Sequence, residues 1–260
     1  MSEPRYGIWA PVGGNFGPLN APDEPIDASY ERTRSLVLEA ERLGYVTTLV
    51  AQHLANPRSL DLEQLETWTA CAALAEADLS LRPFSVAQPY PRIYLGGASD
   101  PAQILAAQQA DVYFINGQPI EDVRKVIKQV LNRPRFLPEP VRFGLSAFVI
   151  ARSTDEEAQA ELERLMALQK LEEQYKLSVA KGVDPEAAMF KLFAKNPAVG
   201  GNGGTAAGLV GSYDTVATRV AAFVDAGIDT FMLQFNPFVR EMTRFAQEVM
   251  PRVQHLQKVA

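Results

Sequence analysis

The run Gln88–Ser99 constrains the fold more than any other part of the chain. It reads Gln-Pro-Tyr-Pro-Arg-Ile-Tyr-Leu-Gly-Gly-Ala-Ser and leads directly into a helical pattern. Its prolines are typical of an extended lead-in, because proline fixes its own φ and keeps the preceding residue out of the α region. The apolar residues 93–95 predict a buried strand. Two glycines then permit a tight turn, and Ser99 stands before a proline as a helix N-cap does. The run therefore predicts a strand, a glycine turn and a helix.

The start of that helix favours an anion, because the first amides of a helix lack partners and carry partial positive charge. The two glycines also let a ligand approach the backbone closely. We therefore predict that Gly97, Ala98 and Ser99 bind a phosphate. The alternative is an ordinary turn between a strand and a helix with no ligand, since short glycine motifs occur often by chance.

Composition narrows the function classes. The chain has 260 residues, of which 47% are hydrophobic, so 1–260 can form one domain with a full core. A net charge of −6 argues against a nucleic-acid surface and a basic membrane patch. One cysteine excludes a disulfide framework and a cysteine-based zinc site, and we expect no metal. The chain shows no signal-peptide pattern and no apolar run long enough to span a membrane, so we expect a cytoplasmic protein.

Strand and helix patterns alternate along the chain. This alternation predicts an α/β fold with a parallel sheet and outer helices. The six predicted strands cover residues 6–10, 45–51, 93–95, 112–115, 141–151 and 229–234. A closed (β/α)8 barrel needs eight such units. We therefore predict a TIM-barrel-like fold that is incomplete, with about six β/α units.

The shortfall has one location. The helix predicted to end near Ala77 runs straight into Asp78-Leu-Ser-Leu-Arg-Pro83, with no strand between. A second irregular region, 184–209, contains five glycines in the run Gly200-Gly-Asn-Gly-Gly-Thr-Ala-Ala-Gly208. Glycine-dense segments of this length in compact domains are typically lids or disordered loops. We predict a mobile lid, because it would enter at the end of a strand where barrel active sites lie.

Several stretches resemble the bacterial luciferase-like, flavin-dependent monooxygenases. The run 88–99 is similar to the fifth strand of that family and its lead-in, most of all in the alkanesulfonate and dimethyl sulfone monooxygenase branch. Other similar stretches follow in the family's order, namely 52–54 and 66–68 (strand two and its helix), 111–117 (strand six), 148–159 (strand seven and its helix) and 209–233 (strand eight). The resemblance implies that strands three and four are missing by an internal deletion near residues 77–81.

The resemblance also implies a chemistry. Such proteins use reduced FMN from a separate flavin reductase, together with oxygen, to oxidise a small molecule, in this branch an organosulfur compound. A deazaflavin coenzyme is an alternative, because a related branch with the same fold uses it. The family resemblance further implies a homo-oligomer.

Candidate site residues follow from the same resemblance. Gly97, Ala98 and Ser99 match the phosphate-binding turn. His53, at the end of strand two, is a candidate for catalytic proton transfer, since histidine titrates near neutral pH. The alternative for His53 is a structural histidine in a loop. Asn116 ends strand six and is a candidate flavin ligand or a simple turn former.

The end of the last strand offers further polar groups. Gln234 and Asn236 either face the mouth of the site or form a polar turn, and we take Asn236 as a candidate catalytic residue. Trp9 is either a pocket wall or a core residue. Cys71, among alanines on a helix, is predicted to lie in the core.

This chain differs from the alkanesulfonate monooxygenases at positions that bind their substrate. Where alkanesulfonate enzymes carry arginine and histidine on strand seven, this chain has Ser146 and Phe148, and Asn202 replaces the lid arginine. Since a sulfonate needs cations or strong donors, these changes favour a neutral or unknown substrate over a simple alkanesulfonate. The missing block also keeps open a non-catalytic, flavin-binding or inactive relative. A different phosphate-binding barrel enzyme is a third hypothesis.

Overall fold

The computed structural model describes residues 3–19, 21–24, 26–51, 53, 56, 61–77, 92–179 and 199–259. Side chains are described for these residues except 75–77, 170–179 and 259. Three predicted features fall outside the described residues, at least in part: the proline lead-in up to Pro91, the deletion point beyond Ala77, and the segment 184–198 of the predicted lid.

The described elements alternate as the sequence predicts. The strands are β1 (Arg5–Trp9), β2 (Thr47–Leu49), β3 (Tyr94–Gly96), β4 (Val112–Ile115), β5 (Arg142–Phe148), β6 (Ile150–Arg152), β7 (Val210–Ser212) and β8 (Ile228–Gln234). The helices are α1 (Tyr30–Arg42), α2 (Thr67–Ala77), α3 (Asp100–Gln109), α4 (Ile120–Leu131), α5 (Asp155–Val179), α6 (Tyr213–Asp225), α7 (Phe238–Arg244) and α8 (Met250–Val259). A 3₁₀ turn at Gly204–Ala207 precedes β7, and a π-helical turn at Phe245–Val249 joins α7 to α8.

Serine N-caps fix the starts of three helices. The side chains of Ser29, Ser99 and Ser212 each accept a hydrogen bond from the backbone amide three residues further on. Such a bond satisfies one of the amides that the first helical turn leaves without a partner. The predicted capping role of Ser99 is confirmed.

The main sheet has six parallel strands in the order β2-β1-β8-β5-β4-β3. The first and last strands of the chain, β1 and β8, are neighbours, as they are in a closed barrel. The two strands at the sheet edges, β2 and β3, are consecutive along the chain. Within the described residues, this order is that of an eight-stranded barrel without its third and fourth strands, and it confirms the predicted incomplete TIM-barrel-like fold.

The prediction of one long strand at 141–151 is wrong. It divides after Phe148, and β6 pairs with β7 in a separate two-stranded parallel sheet. At the division the amide of Val149 still donates to the carbonyl of Gln234 at 3.1 Å, whereas the amide of Ile150 donates to Leu209 at 3.0 Å. The apolar pattern continues through both strands, so the sequence shows no break where the hydrogen-bond partner changes.

The two faces of the main sheet bury different side chains, because neighbouring residues of a strand point to opposite faces. Ile8, Leu145 and Phe231 belong to the large core between the sheet and the helices. On the inner, concave face a smaller cluster contains Phe114 and Met232. This inner cluster fills the space below the carboxyl ends of the strands.

The prediction that Cys71 lies in the core is wrong, since its side chain is exposed. Helix α2 buries Thr67, Ala70 and Leu74, which lie on one stripe at spacings of three and four residues. Cys71 falls outside that stripe, and Trp68 is 78% exposed on the same outer side. No helix in the described ranges combines the length and apolar character needed to cross a membrane.

Candidate functional site

A cavity of about 270 Å³ lies at the carboxyl ends of β1, β2 and β8. Trp9 from the end of β1 and Gln234 from the end of β8 line it, and Ala51 follows β2 on its other side. The loops 10–18 and 200–202 complete its walls. The carboxyl ends of the strands are where the active sites of barrel enzymes lie, so this cavity is the candidate functional site.

The loop after β1 is held over the cavity by a buried ion pair. Glu24 pairs with Arg32 of α1, and its second carboxylate oxygen accepts the amide hydrogen of Phe238 at 2.7 Å. Arg32 also donates to the carbonyl of Asp27 at 2.9 Å. Burial raises the pKa of the Glu24 carboxyl, while the Phe238 amide and Arg32 act in the opposite direction. Removing either partner would leave a buried charge, so the pair fixes this loop relative to α7.

The described part of the glycine-rich segment forms a fixed wall of the cavity in this conformation. The amide of Gly117 donates to the carbonyl of Asn202 at 2.8 Å, and the amide of Thr205 donates to Val199 at 3.0 Å. Gly203 has a φ of +85°, and a Cβ there would overlap the backbone of Gly117. Glycine is therefore required for the segment to lie against the end of β4. Motion of the segment as a lid stays a prediction.

Gln234 links this wall to the central strand. Its side chain is fully buried, and its Oε1 accepts the amide hydrogen of Gly201 at 2.9 Å. Its Nε2 has no hydrogen-bond partner although Gln234 lines the cavity. A buried amide without a partner costs about 1–3 kcal/mol. The bond to Gly201 fixes Oε1, so Nε2 is an unpartnered donor on a side chain that lines the cavity.

Trp9 forms the adjoining wall. Its indole Nε1 donates to the hydroxyl of Ser146 on β5 at 3.0 Å, across the intervening strand β8. This hydrogen bond orients the ring and satisfies its only donor. Of the alternatives left open by the sequence, the structure supports the pocket wall for Trp9. Ser146, which the sequence marks only as a departure, holds that wall in place.

The cavity is lined by amides rather than by charges. Six carboxamide side chains line it, from Asn15, Asn56, Gln64, Gln169, Asn202 and Gln234. Among its described lining residues there is no lysine, arginine, aspartate or glutamate, and His53 is the only histidine. The described part of the lining is thus suited to an uncharged molecule, since an anion would find no cation among these residues to offset its lost hydration.

The two predicted catalytic residues lie in different surroundings. His53 is exposed and lines the cavity. Asn236 is 2% exposed and is not among the lining residues. It lies behind the loop after β1, where a Cβ on Gly17 would come within 2.9 Å of the Asn236 Cβ. Both side-chain polar atoms of Asn236 are buried without a hydrogen-bond partner. A catalytic role for either residue stays a prediction.

The predicted phosphate-binding turn lies at the opposite edge of the sheet, after β3. Gly97 has a φ of +143°, its carbonyl accepts a hydrogen bond from the Tyr113 hydroxyl, and Ser99 is exposed. A Cβ on Gly96 would meet no atom within 4 Å, so there is open space before the turn. Three strand intervals, about 14 Å along the sheet, separate β3 from β8. The turn does not line the described cavity.

Asn116 follows β4 and is partly buried beside Gly117, on which the glycine-rich segment rests. It does not line the described cavity either. Sequence reasoning missed the wall residues of the loop after β1 and the segment around Gln64. The signal for the loop is its length and its glycines and asparagines directly after the first strand. Nothing in the sequence marks Gln64.

Comparison with known proteins places the chain in a family. The family model described as luciferase-like monooxygenase matches residues 76–230, which is more than half of the chain. The chain belongs to the luciferase-like monooxygenase family.

Solved structures share the fold at low sequence identity. DmoA from Hyphomicrobium sulfonivorans superimposes with a TM-score of 0.68 at 14% identity, covering 98% of this chain and 89% of DmoA. The riboflavin lyase RcaE, solved with modified FMN and its substrate riboflavin, gives a TM-score of 0.71 at 11% identity, covering 98% and 92%. An F420-dependent secondary alcohol dehydrogenase, solved with an F420-acetone adduct, gives 0.57 at 10% identity, covering 97% and 99%.

Proposed function

We propose that this protein is an FMN-dependent monooxygenase that uses reduced flavin and oxygen to oxidise a small organosulfur molecule. The observation that carries the proposal is the uncharged cavity at the carboxyl ends of β1, β2 and β8 in a chain of the luciferase-like monooxygenase family. Cavities at this end of the strands are where barrel enzymes bind and transform small molecules.

The chemistry of the donor groups fits a flavin mononucleotide. The cofactor has an uncharged ring system at one end and a dianionic phosphate at the other. The amide-lined cavity suits an uncharged ring or substrate, and the turn Gly97–Ser99 offers helix-start amides to a phosphate. Pro101 has no N–H, and the amides of Ala102 and Gln103 are bonded to Ser99, so the amides of 97–100 would hold the anion.

The residues of this chain have separate tasks in the proposed reaction. The difficult step is the activation of molecular oxygen, and a bound reduced flavin would supply it. Trp9 and the loops 10–18 and 200–202 enclose the reacting molecule and exclude water. Gln234 donates a hydrogen bond through Nε2, and His53 exchanges protons with solvent at the cavity rim. Asn116 would contact the flavin, and Asn236 would hold the floor behind Gly17.

The remaining parts of the proposal concern partners and location. A flavin reductase would supply the reduced cofactor. The edges of the sheet at β2 and β3, which no described strand pairs, favour a homo-oligomer in which they are covered. We place the protein in the cytoplasm, where reduced flavin is made. A deazaflavin coenzyme is the alternative to FMN, and the absorbance spectrum of the purified protein separates the two.

The phosphate-binding turn is tested by Gly97→Val. A side chain at Gly97 would be strained at its φ of +143° and would approach the Ala102 Cβ within 2.8 Å. We expect FMN affinity, measured by flavin fluorescence quenching, to fall by about a hundredfold or more, as for the loss of several charge-assisted hydrogen bonds. Gly44→Val is the control, because Gly44 also has positive φ but lies between α1 and β2. If the two variants bind FMN with equal affinity, the turn is not the phosphate-binding site.

The catalytic role of His53 is tested by His53→Ala. We expect unchanged FMN binding and turnover that is about 10²-fold to 10⁴-fold slower, as for loss of a general acid or base. Turnover is measured as oxygen uptake and sulfite or sulfinate release with a flavin reductase and short sulfones or sulfonates. His255→Ala, on the exposed face of α8, is the control. An unchanged rate would return His53 to a structural role.

A non-catalytic flavin-binding protein is the second candidate, favoured by the open edges at β2 and β3. In a full barrel two more strands would close the site on that side. Tight retention of flavin with no product from any substrate would support this candidate.

Retention of a sugar phosphate instead of a flavin would indicate the third hypothesis, another phosphate-binding barrel enzyme.

A further inference from the structure

The hydrogen-bond donors around the cavity are not equally available. The Nδ2 of Asn56 donates to the carbonyls of Gly13 at 2.9 Å and Glu63 at 2.8 Å. The Nε2 of Gln64 donates to the carbonyl of Leu65 at 3.1 Å. Only the Nε2 of Gln234, among these three amides, is buried and without a partner. Gln234 therefore offers a donor that is not engaged within the protein, in contrast to the amides of Asn56 and Gln64.

The acceptor side of Gln234 is already committed. Gly201 donates to its Oε1 at 2.9 Å, and the Gly200 backbone lies so close that a Cβ there would come within 2.9 Å of the same oxygen. Rotation of the amide would break the bond to Gly201. The group that Gln234 presents to the cavity is consequently a donor, and it selects for a hydrogen-bond acceptor.

The absence of charged side chains among the described lining residues favours uncharged ligands over anionic ones. A single neutral N–H cannot offset the desolvation of a sulfonate, a carboxylate or a phosphate in a site with no lysine or arginine among its described lining residues. It can pair fully with one oxygen of a neutral sulfone, sulfoxide or carbonyl.

We propose that Gln234 is a specificity-determining residue and that the cavity takes uncharged hydrogen-bond acceptors and rejects their anionic isosteres. The inference rests on the proposed function only for the identity of the acceptor, which is the sulfonyl oxygen of a substrate or a carbonyl of the flavin ring. Both sources share the same chemistry, and the arms of the experiment separate them.

The experiment measures binding by ligand-observed NMR to the full apo chain. Dimethyl sulfone and methanesulfonate have nearly the same shape and differ in charge. Lumiflavin supplies the flavin ring without phosphate. We expect the wild type to bind dimethyl sulfone or lumiflavin at least about tenfold more tightly than methanesulfonate, as for a site that rejects a charge by about 1.4 kcal/mol.

The decisive variant is Gln234→Glu, which keeps the acceptor for Gly201 and replaces the donor with a carboxylate oxygen. We expect affinity for the uncharged acceptor to fall by about tenfold or more. Gln64→Glu is the matched control, because it adds the same charge to the wall and leaves Gln234 in place. It should reduce that affinity much less. Gln234→Met, which removes the donor without adding charge, decides the matter if thermal melting shows that Gln234→Glu fails to fold.

The outcomes are separable. Loss of sulfone affinity in the Gln234 variants assigns the donor to the substrate, and loss of lumiflavin affinity assigns it to the flavin. Methanesulfonate binding as tightly as the sulfone, or unchanged binding in both Gln234 variants, overturns the proposal. Failure of the functional proposal would give a different result. FMN binding would be unchanged in Gly97→Val, while the uncharged acceptor would still bind and depend on Gln234.

Discussion

The centre of the main sheet and its two edges differ sharply in burial. Strand β8 buries six of its seven residues, whereas β2 has no fully buried residue and β3 exposes both Tyr94 and Gly96. The centre is paired on both sides, by β1 and β5, and covered by helices on its outer face. In the part of the chain that the structure describes, no strand occupies the places beside β2 and β3 that the third and fourth strands of a barrel would take. Side-chain packing is therefore concentrated at the centre of the sheet, around β8, and is sparse at its two edges.

The cavity and the predicted phosphate turn lie on different sides of this contrast. The cavity lies mainly against the ends of the paired strands β1 and β8, and Ala51 and His53, which follow the edge strand β2, line one side of it. The turn after β3 lies on an exposed edge, where Ile93 and Tyr94 are 43% and 44% exposed. A short parallel edge strand has few contacts to hold it, and such regions open most easily. The structure thus places the predicted phosphate turn on a weakly supported edge, away from the cavity.

The strongest test of the contrast removes one aromatic ring from each region. Phe231→Ala, in the fully buried centre of β8, should lower the free energy of unfolding by about 3–5 kcal/mol, because it removes a large side chain and leaves a cavity. Tyr94→Ala on the edge should cost about 1 kcal/mol, since its ring is 44% exposed and stacks only on Phe114 among its described ring contacts. Denaturant unfolding gives both values, and similar losses would mean that the edge is supported as well as the centre.

A second test compares two glycines of the same segment. Gly203→Ala combines a strained φ of +85° with overlap on Gly117, and we expect a loss of about 2–4 kcal/mol. Gly208→Ala has a similar φ of +74° and open space around it, so only the backbone strain of about 1–2 kcal/mol remains. Thermal unfolding of the two variants measures the difference. If the losses are equal, the segment is not held tightly against the end of β4.

The smallest effect concerns the small sheet. Asp155 accepts the amide hydrogen of Ser212 at 2.6 Å, and this bond, with help from Thr215, lowers the pKa of the Asp155 carboxyl. Because the folded pKa lies below the unfolded one, the contribution to stability is present above pH 4 and is lost as the pH falls through the folded pKa. Asp155→Asn should therefore lower the melting temperature slightly at pH 7 and by less at pH 2.5. A constant difference across this range would exclude the carboxylate as its cause.

Local features of the fold could be predicted well from the sequence. The strand, turn and helix around Gly97, the Ser99 cap and the alternation of strands and helices depend on neighbouring residues. The family resemblance assigned stretches of the chain to numbered barrel strands and implied that the third and fourth are missing. The break after Phe148 and the exposure of Cys71 were missed, because each depends on which distant segment supplies the partner.

The candidate site shows the same division. The sequence placed His53 and the Gly97 turn at the carboxyl ends of strands, since motif and position along the chain suffice for that. It drew attention to Gln234 without distinguishing a mouth residue from a turn residue. The unpartnered Nε2 of Gln234 exists because Gly201, more than thirty residues away, takes the other end of the amide. Only the tertiary structure decided that, since hydrogen bonds between distant segments are set by how the chain packs and leave no periodic trace in the sequence.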